Sequence, residues 1–209
     1  MILIGQYDSP FVRRVAIALR LYGLPFEHRP WSTFSDGDYI APFNPLRRVP
    51  TLVLDDGDVV IDSGAILDYL DETIGPSRAM IARAGELRRR ALKVCALATG
   101  LADKAVSLVY ERALHQTTSD QWVERCRIQI FASLDALEAD RARTAGHFWD
   151  GGTIGHADIA VACALRFICD AHSGLFDAAR WPALASHLVI CEGLPVFQEM
   201  AQPFNPPRR

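Results

Sequence analysis

The hydrophobic period of this chain changes once, after Gly75-Pro76-Ser77, and does not change back. Before that break, apolar runs of strand length alternate with segments of helical spacing; from Met80 onward long helical periods dominate and no convincing strand pattern recurs. A chain patterned this way must build one sheet early, bury it against helices, and then pack a helical bundle. Its 209 residues suffice for two small units with sizeable cores. We set their limits at 1–77 and 78–209.

Within the first unit, Ile2 to Tyr7 is an apolar run, followed by Ser9-Pro10 and then by Val12, Val15, Ala16, Leu19 and Tyr22 at helical spacing, with Gly23 as a stop. The stretch "PFEHRPW" reads as a second extended segment, and "STFSDGDYIAPFNP" as a loop with room for a turn or two of helix. In "VPTLVLDDGDVVID" two strands are joined through Asp56-Gly57, a two-residue hairpin signal, because glycine tolerates the positive φ of such turns. Asp62-Ser63 then opens a helix with an apolar stripe at Ile66, Leu67, Tyr69, Leu70 and Ile74. The expected fold class is α/β followed by all-α: a mixed four-stranded sheet, then a bundle with helices over 80–114, 120–142, 157–171, 182–193 and 195–201.

Charge and cysteine usage narrow the function classes. A net charge of -3 gives no strong field, and the densest basic run, Arg88-Arg89-Arg90, reads as a solvated helix face, so no nucleic-acid partner is expected. The opening "MILIGQYDSP" lacks the basic flank and long apolar core of a signal peptide, and no apolar run reaches membrane-spanning length; a cytoplasmic protein with no membrane partner is expected. The five cysteines are odd in number and scattered, and they read as reduced, buried thiols. Without Cys-x-x-Cys pairs or clustered histidines, no metal is expected.

Four places carry residues suited to chemistry. Ser9-Pro10 is a favoured helix start, and its hydroxyl is also a candidate donor to a reacting atom. Val49-Pro50 stands directly before a strand and holds Val49 extended. Asp62 and Ser63 either cap their helix or, with its free amides, receive a carboxylate. Thr153 with His156-Ala157-Asp158 reads as a structural cap leading into a buried helix.

The order "SPFVRRV", "NPLRRVPTL", "DDGDVVIDSGAILDYL" and then "TIGHADIAVA" inside a helical bundle resembles the glutathione S-transferase family over nearly the whole length, and more narrowly its serine-type bacterial members. The resemblance implies a thioredoxin-like first domain that binds glutathione as co-substrate, a helical domain that supplies much of the pocket for a small electrophile, and a homodimer. It implies that Ser9 is the catalytic donor to the glutathione sulfur and that Phe11 stands at the pocket's edge. Pro50 is then the cis-proline, and Val49 offers its backbone to the cysteinyl unit. Arg48, or its neighbour Arg47, pairs with the glycyl carboxylate. Ser63 takes the γ-glutamyl carboxylate, and Asp62, one methylene shorter than the usual acid or amide, faces the amino group. Tyr7 is the alternative sulfur partner, since other branches use a tyrosine near the end of the first strand. Tyr110 and the tail "PFNPPRR" are further candidates for the pocket's border. Two other classes share the fold: a non-catalytic interaction module like the stringent starvation proteins, and glutathione-dependent reductases, which place cysteine where Ser9 stands. The maleylacetoacetate isomerase branch carries a richer Ser/Cys cluster than the single Ser9.

Overall fold

The computed structural model describes residues 1–207; Arg208 and Arg209, the end of the tail expected near the pocket, lie outside the described residues. Strands β1 (Ile2–Ile4), β2 (Glu27–Arg29), β3 (Thr51–Val53) and β4 (Val59–Ile61) form one sheet in the order β2-β1-β3-β4. The pair β1/β2 is parallel and therefore needs a crossover, which helix α1 (Pro10–Tyr22) supplies; β3 runs antiparallel to both β1 and β4. The expected mixed four-stranded sheet is thus present. A single turn, α2 (Gly37–Ile40), occupies the polar loop, and α3 (Ser63–Ile74) follows β4 directly.

The hairpin differs in detail from its expected form. Leu54 N–H bonds to Asp58 O at 2.8 Å and Gly57 N–H to Leu54 O at 3.1 Å, which leaves a three-residue loop with Gly57 at φ +90. This is a turn closed by a left-handed glycine, the next commonest hairpin solution after the two-residue one.

The helical domain contains α4 (Gly85–Leu114), α5 (Asp120–Ala142), α6 (His156–Ala171), α7 (Pro182–Glu192) and α8 (Pro195–Glu199). The helix expected from Met80 begins only at Gly85. Met80 spends its backbone elsewhere, its N–H on Tyr22 Oη (2.8 Å) and its carbonyl on His156 N–H (3.1 Å), so it cannot join the helical ladder. The cap of α6 falls at Gly155 rather than Thr153: the Asp158 carboxylate accepts from the amides of Gly155 (2.8 Å) and Trp149 (2.9 Å). A Cβ at Gly155 would lie 3.0 Å from Met80 O, so the crossing of the connecting segment asks for glycine there.

One core joins the two domains. Val12, Val15, Ala16 and Leu19 of α1 pack with Leu3, Leu52, Ile66 and Leu70 on one side and with Ile159, Ala162 and Cys163 of α6 on the other. A second core, including Leu101, Leu108, Ile130, Leu134, Leu165 and Trp181, fills the bundle. Because α6 and the α7–α8 segment cover α1, even the polar positions Arg13 and Arg14 are buried. Arg13 holds Glu192 through bonds of 2.6 and 2.9 Å and donates to the carbonyls of Met200 (2.9 Å) and Phe197 (2.8 Å). Behind α1, Asp71 of α3 bonds Tyr22 Oη and lies 3.0 Å from His156 Nε2, which ties α1, α3 and α6 together. Four cysteines are buried as expected; Cys169, in the last turns of α6, is exposed instead, because it lies with Asp170 on the outer face of the helix while Phe167 and Ile168 face the core.

Candidate active site

Strand register brings the predicted residues to one end of the sheet. Ile4 pairs with Thr51, and Thr51 with Ile61, so the β1–α1 turn, the Val49-Pro50 segment and the head of α3 all emerge at the same edge. Gly5 sits where they meet, with φ +130. A Cβ there would stand 2.5 Å from Val12 Cγ2 and 2.8 Å from Val49 Cβ, so only glycine allows the approach. Its turn also ends β1 before Tyr7.

Ser9 is the N-cap of α1, extended at φ -71 and ψ 123, and its Oγ accepts from Val12 N–H at 3.4 Å. Pro10 fills the first helical position, where no amide is missed. The cap uses a lone pair of the hydroxyl and not its hydrogen, so Ser9 remains able to donate. It faces a cleft of about 480 Å³ between the two domains, and Phe11, Arg47, Arg48 and Val49 line the same cleft. The opposite wall includes Val106 and Tyr110 of α4 and Phe167 of α6. Phe34 meets Tyr110 edge-on at 5.1 Å, and Phe204 of the tail meets Phe167 at 5.5 Å, so aromatic rings frame the space.

The Val49–Pro50 peptide bond is cis, and Pro50 is buried. Buried Asn44 shapes the approach to it: its side chain donates to Arg48 O (2.9 Å) and Thr51 Oγ1 (3.1 Å) and accepts from Leu46 N–H (3.0 Å). Arg47, at φ +51, pairs with Asp38 at 2.8 Å.

Asp62 and Ser63 do not line the cleft itself; they stand at the head of α3, beyond Pro50 on the same edge. Asp62 has φ +72 and ψ 132, a conformation that L residues rarely adopt and that recurs at functional positions. One of its carboxylate oxygens accepts from Gly64 N–H at 2.7 Å, and its side chain is exposed. Ser63 is buried, and Arg14 Nη1 donates to its Oγ at 3.3 Å.

Tyr7 is directed elsewhere. Its ring stacks on His28 with centroids 3.9 Å apart, its amide bonds Gln202 Oε1, and it is not among the residues lining the cleft. Burial, with Glu199 nearby, pushes its phenol above the usual range, so it keeps its proton. No cysteine lines the cleft, and burial pushes the Cys163 thiol up to about 12. A thiolate nucleophile here must therefore come from a ligand.

Sequence reasoning missed Asp8, which lines the cleft and accepts from Asn205 N–H at 3.1 Å, fixing the tail as part of the wall. Burial raises its carboxyl, while the amides of Asn205 and Ser9 pull it back. Only the structure gives it a partner, because Asn205 is far away in sequence. Trp31 and Phe34 were missed as well, since the loop that carries them has no period to phase. Among the described residues no group of His, Cys, Asp or Glu is placed to hold a metal, and no helix is long and apolar enough to cross a membrane.

Comparison with known proteins matches this architecture at both ends. Residues 3–78 match the family described as Glutathione S-transferase, N-terminal domain, and residues 120–188 match Glutathione S-transferase, C-terminal domain. The uncharacterized GST-like protein YibF of Escherichia coli is 36% identical over 174 residues, which cover 80% of this chain and 82% of that one. The chain belongs to the glutathione S-transferase family. Its sheet with α1–α3 is the thioredoxin-like domain of a glutathione S-transferase, and α4–α8 form the helical one. A glutathione transferase family member from Pseudomonas fluorescens Pf-5, solved with bound glutathione, superimposes with a TM-score of 0.83 at 30% identity, covering 97% of this chain and 99% of that one. A maleylacetoacetate isomerase of Pseudomonas aeruginosa is 28% identical over 99% of this chain and 98% of its own.

Proposed function

We propose that this glutathione S-transferase is a serine-type member that binds glutathione along the sheet edge and presents its sulfur, as the thiolate, to a small electrophile in the interdomain cleft. The observation that carries the proposal is Ser9, a helix cap with a spare hydroxyl hydrogen, opening on that cleft beside Val49 and cis-Pro50. A free thiol titrates near pKa 8.5, and lowering it by about two units takes about 2.7 kcal/mol of preferential thiolate stabilisation. A hydrogen bond to a charged acceptor contributes about 1.5–3 kcal/mol, and the α1 N-terminus about 0.3–1 kcal/mol. The two together suffice.

In this mechanism the thiol proton leaves to solvent and Ser9 donates to the sulfur anion without itself attacking. The sulfur pair forms a C–S bond; a leaving group departs with its bonding electrons or, in an addition, the displaced π pair takes a proton from water. Val49 pairs its backbone with the cysteinyl unit, Arg48 meets the glycyl carboxylate, Asp62 faces the amino group and Ser63 the γ-glutamyl carboxylate, with Phe11 at the electrophile's edge. Arg48 is preferred to Arg47 because Asp38 already engages Arg47. Reversible addition of the same thiolate would isomerise a conjugated alkene, the activity class in the Pseudomonas aeruginosa relative's name. Net thioether formation is the reaction proposed here, in a cytoplasmic detoxification role.

The proposal includes a division at 77/78 and a homodimer, in which a second copy covers exposed apolar residues of α4 such as Leu87 and Leu92. Light scattering at micromolar protein tests the dimer, and a monomer mass contradicts it. Calorimetry with glutathione tests the function: saturable binding at millimolar ligand or below is expected, and no detectable heat would favour a non-catalytic interaction module.

A further inference from the structure

We propose that Arg14, buried behind the head of α3, is a positioning residue that makes this point of the site selective for a carboxylate, acting through the Ser63 hydroxyl. The inference rests on the glutathione reading above and adds a residue which that reading does not use.

The two adjacent arginines of α1 are both sealed from water, Arg13 at 4% exposure and Arg14 at 5%, yet their surroundings differ. Arg13 has a bidentate carboxylate and two carbonyls. Arg14 has one hydrogen bond, to Ser63 Oγ; its Nε is buried without a partner, and no carboxylate lies within ion-pair distance of it among the described residues. A guanidinium stays charged in a protein, and the nearby Asp62 carboxylate acts on it only from beyond ion-pair distance, so this is a buried cation without a contacting counterion. Such a charge is costly to keep unless something compensates it.

The single contact shows where compensation is available. Ser63, 3% exposed, is the first residue of α3, a helix of 12 residues whose leading amides and dipole favour an anion. Because its Oγ accepts from Arg14, the hydroxyl hydrogen is turned away from Arg14 and is free for an acceptor at the helix head. The dipole, the hydroxyl and the buried charge therefore favour negative charge at one point, and the exposed Asp62 carboxylate beside it suits an ammonium group. The chemical class selected is the α-amino carboxylate end of a ligand, with the carboxylate supplying the counterion that Arg14 lacks.

Calorimetry on the full chain tests this with two ligands: glutathione, and its analogue lacking the γ-glutamyl α-carboxylate (4-aminobutyryl-cysteinyl-glycine). The wild type is expected to prefer glutathione by about tenfold or more. Arg14→Met is expected to weaken glutathione by about tenfold while leaving the analogue within about twofold, and Arg14→Lys to restore most of the preference. Equal weakening of both ligands is what a merely structural arginine gives, and it overturns the proposal. Equal affinity of the wild type for both also overturns it, while glutathione binding itself stands; failure of the wild type to bind either ligand removes the glutathione reading as well. If Arg14→Met does not fold, Arg14→Gln, which keeps a donor to Ser63 without the charge, takes its place under the same criteria.

Discussion

In the proposed mechanism the Ser9 hydroxyl serves structure and chemistry together. As a cap it accepts from Val12 N–H, and the bond is long at 3.4 Å, so the oxygen is only lightly committed. As a donor it faces a cleft that holds no thiol of the protein's own. Ser9→Ala removes both roles, with different magnitudes. Loss of the cap costs about 1 kcal/mol of stability. Loss of a charge-assisted hydrogen bond of about 1.5–3 kcal/mol lowers kcat/KM by about 10- to 100-fold. Tyr7→Phe removes a phenol whose ring lies against His28, so turnover is expected to stay within about twofold of wild type. Parallel kinetics on both variants with an electrophilic aromatic halide check this; a large loss confined to Tyr7→Phe would reverse the assignment.

At the scale of elements, the β1–α1 turn is set by Gly5, whose missing side chain lets β1, α1 and Val49 converge. Gly5→Ala asks for φ +130 with a Cβ inside Val12, and it is expected to destabilise the chain by about 1–3 kcal/mol or more, read as a lowered denaturation midpoint. Recovery of wild-type stability would show that the convergence is not tight. The start of α1 at Ser9-Pro10 was legible in the sequence, as were the presence of a hairpin and the head of α3, because Gly, Pro, Ser and Asp act on the backbone within a few residues; the Gly5 turn was not, since the apolar run reads on as strand to Tyr7. The start of α4 was not legible: Met80 leaves the helix for bonds to Tyr22 and His156, partners far away in sequence. Burial of Arg13 and Arg14 was hidden for a related reason, since a polar pair on an amphipathic helix reads as a solvent face until α6 and the α7–α8 segment cover it. The far wall of the cleft could not be phased either, because α4 carries apolar residues on more than one face.

For the whole molecule, the domains are joined by the α1–α6 core and by the Tyr22–Asp71–His156 cluster. Burial alone would raise Asp71, but the hydrogen bond and charge of His156, together with the bonds from Tyr22 and the Met80 amide, outweigh it and hold the carboxyl below its usual value. A carboxyl lowered on folding adds stability above its unfolded pKa, and that stability is lost as the pH falls through the folded value. Asp71→Asn is therefore expected to destabilise the protein at neutral pH, with the deficit shrinking as the pH falls through the acid range, as read by denaturation across pH. A deficit independent of pH would remove the ionic part of this account. The joined domains hold Ser9 against the cleft, where the account places its chemistry. The most direct measurement is an ultraviolet titration of the thiolate of glutathione bound to wild type and to Ser9→Ala. The bound thiol is expected to titrate about two units below its free value in the wild type and to return most of the way in the variant. An equally lowered thiol in both proteins would contradict the role given to the serine.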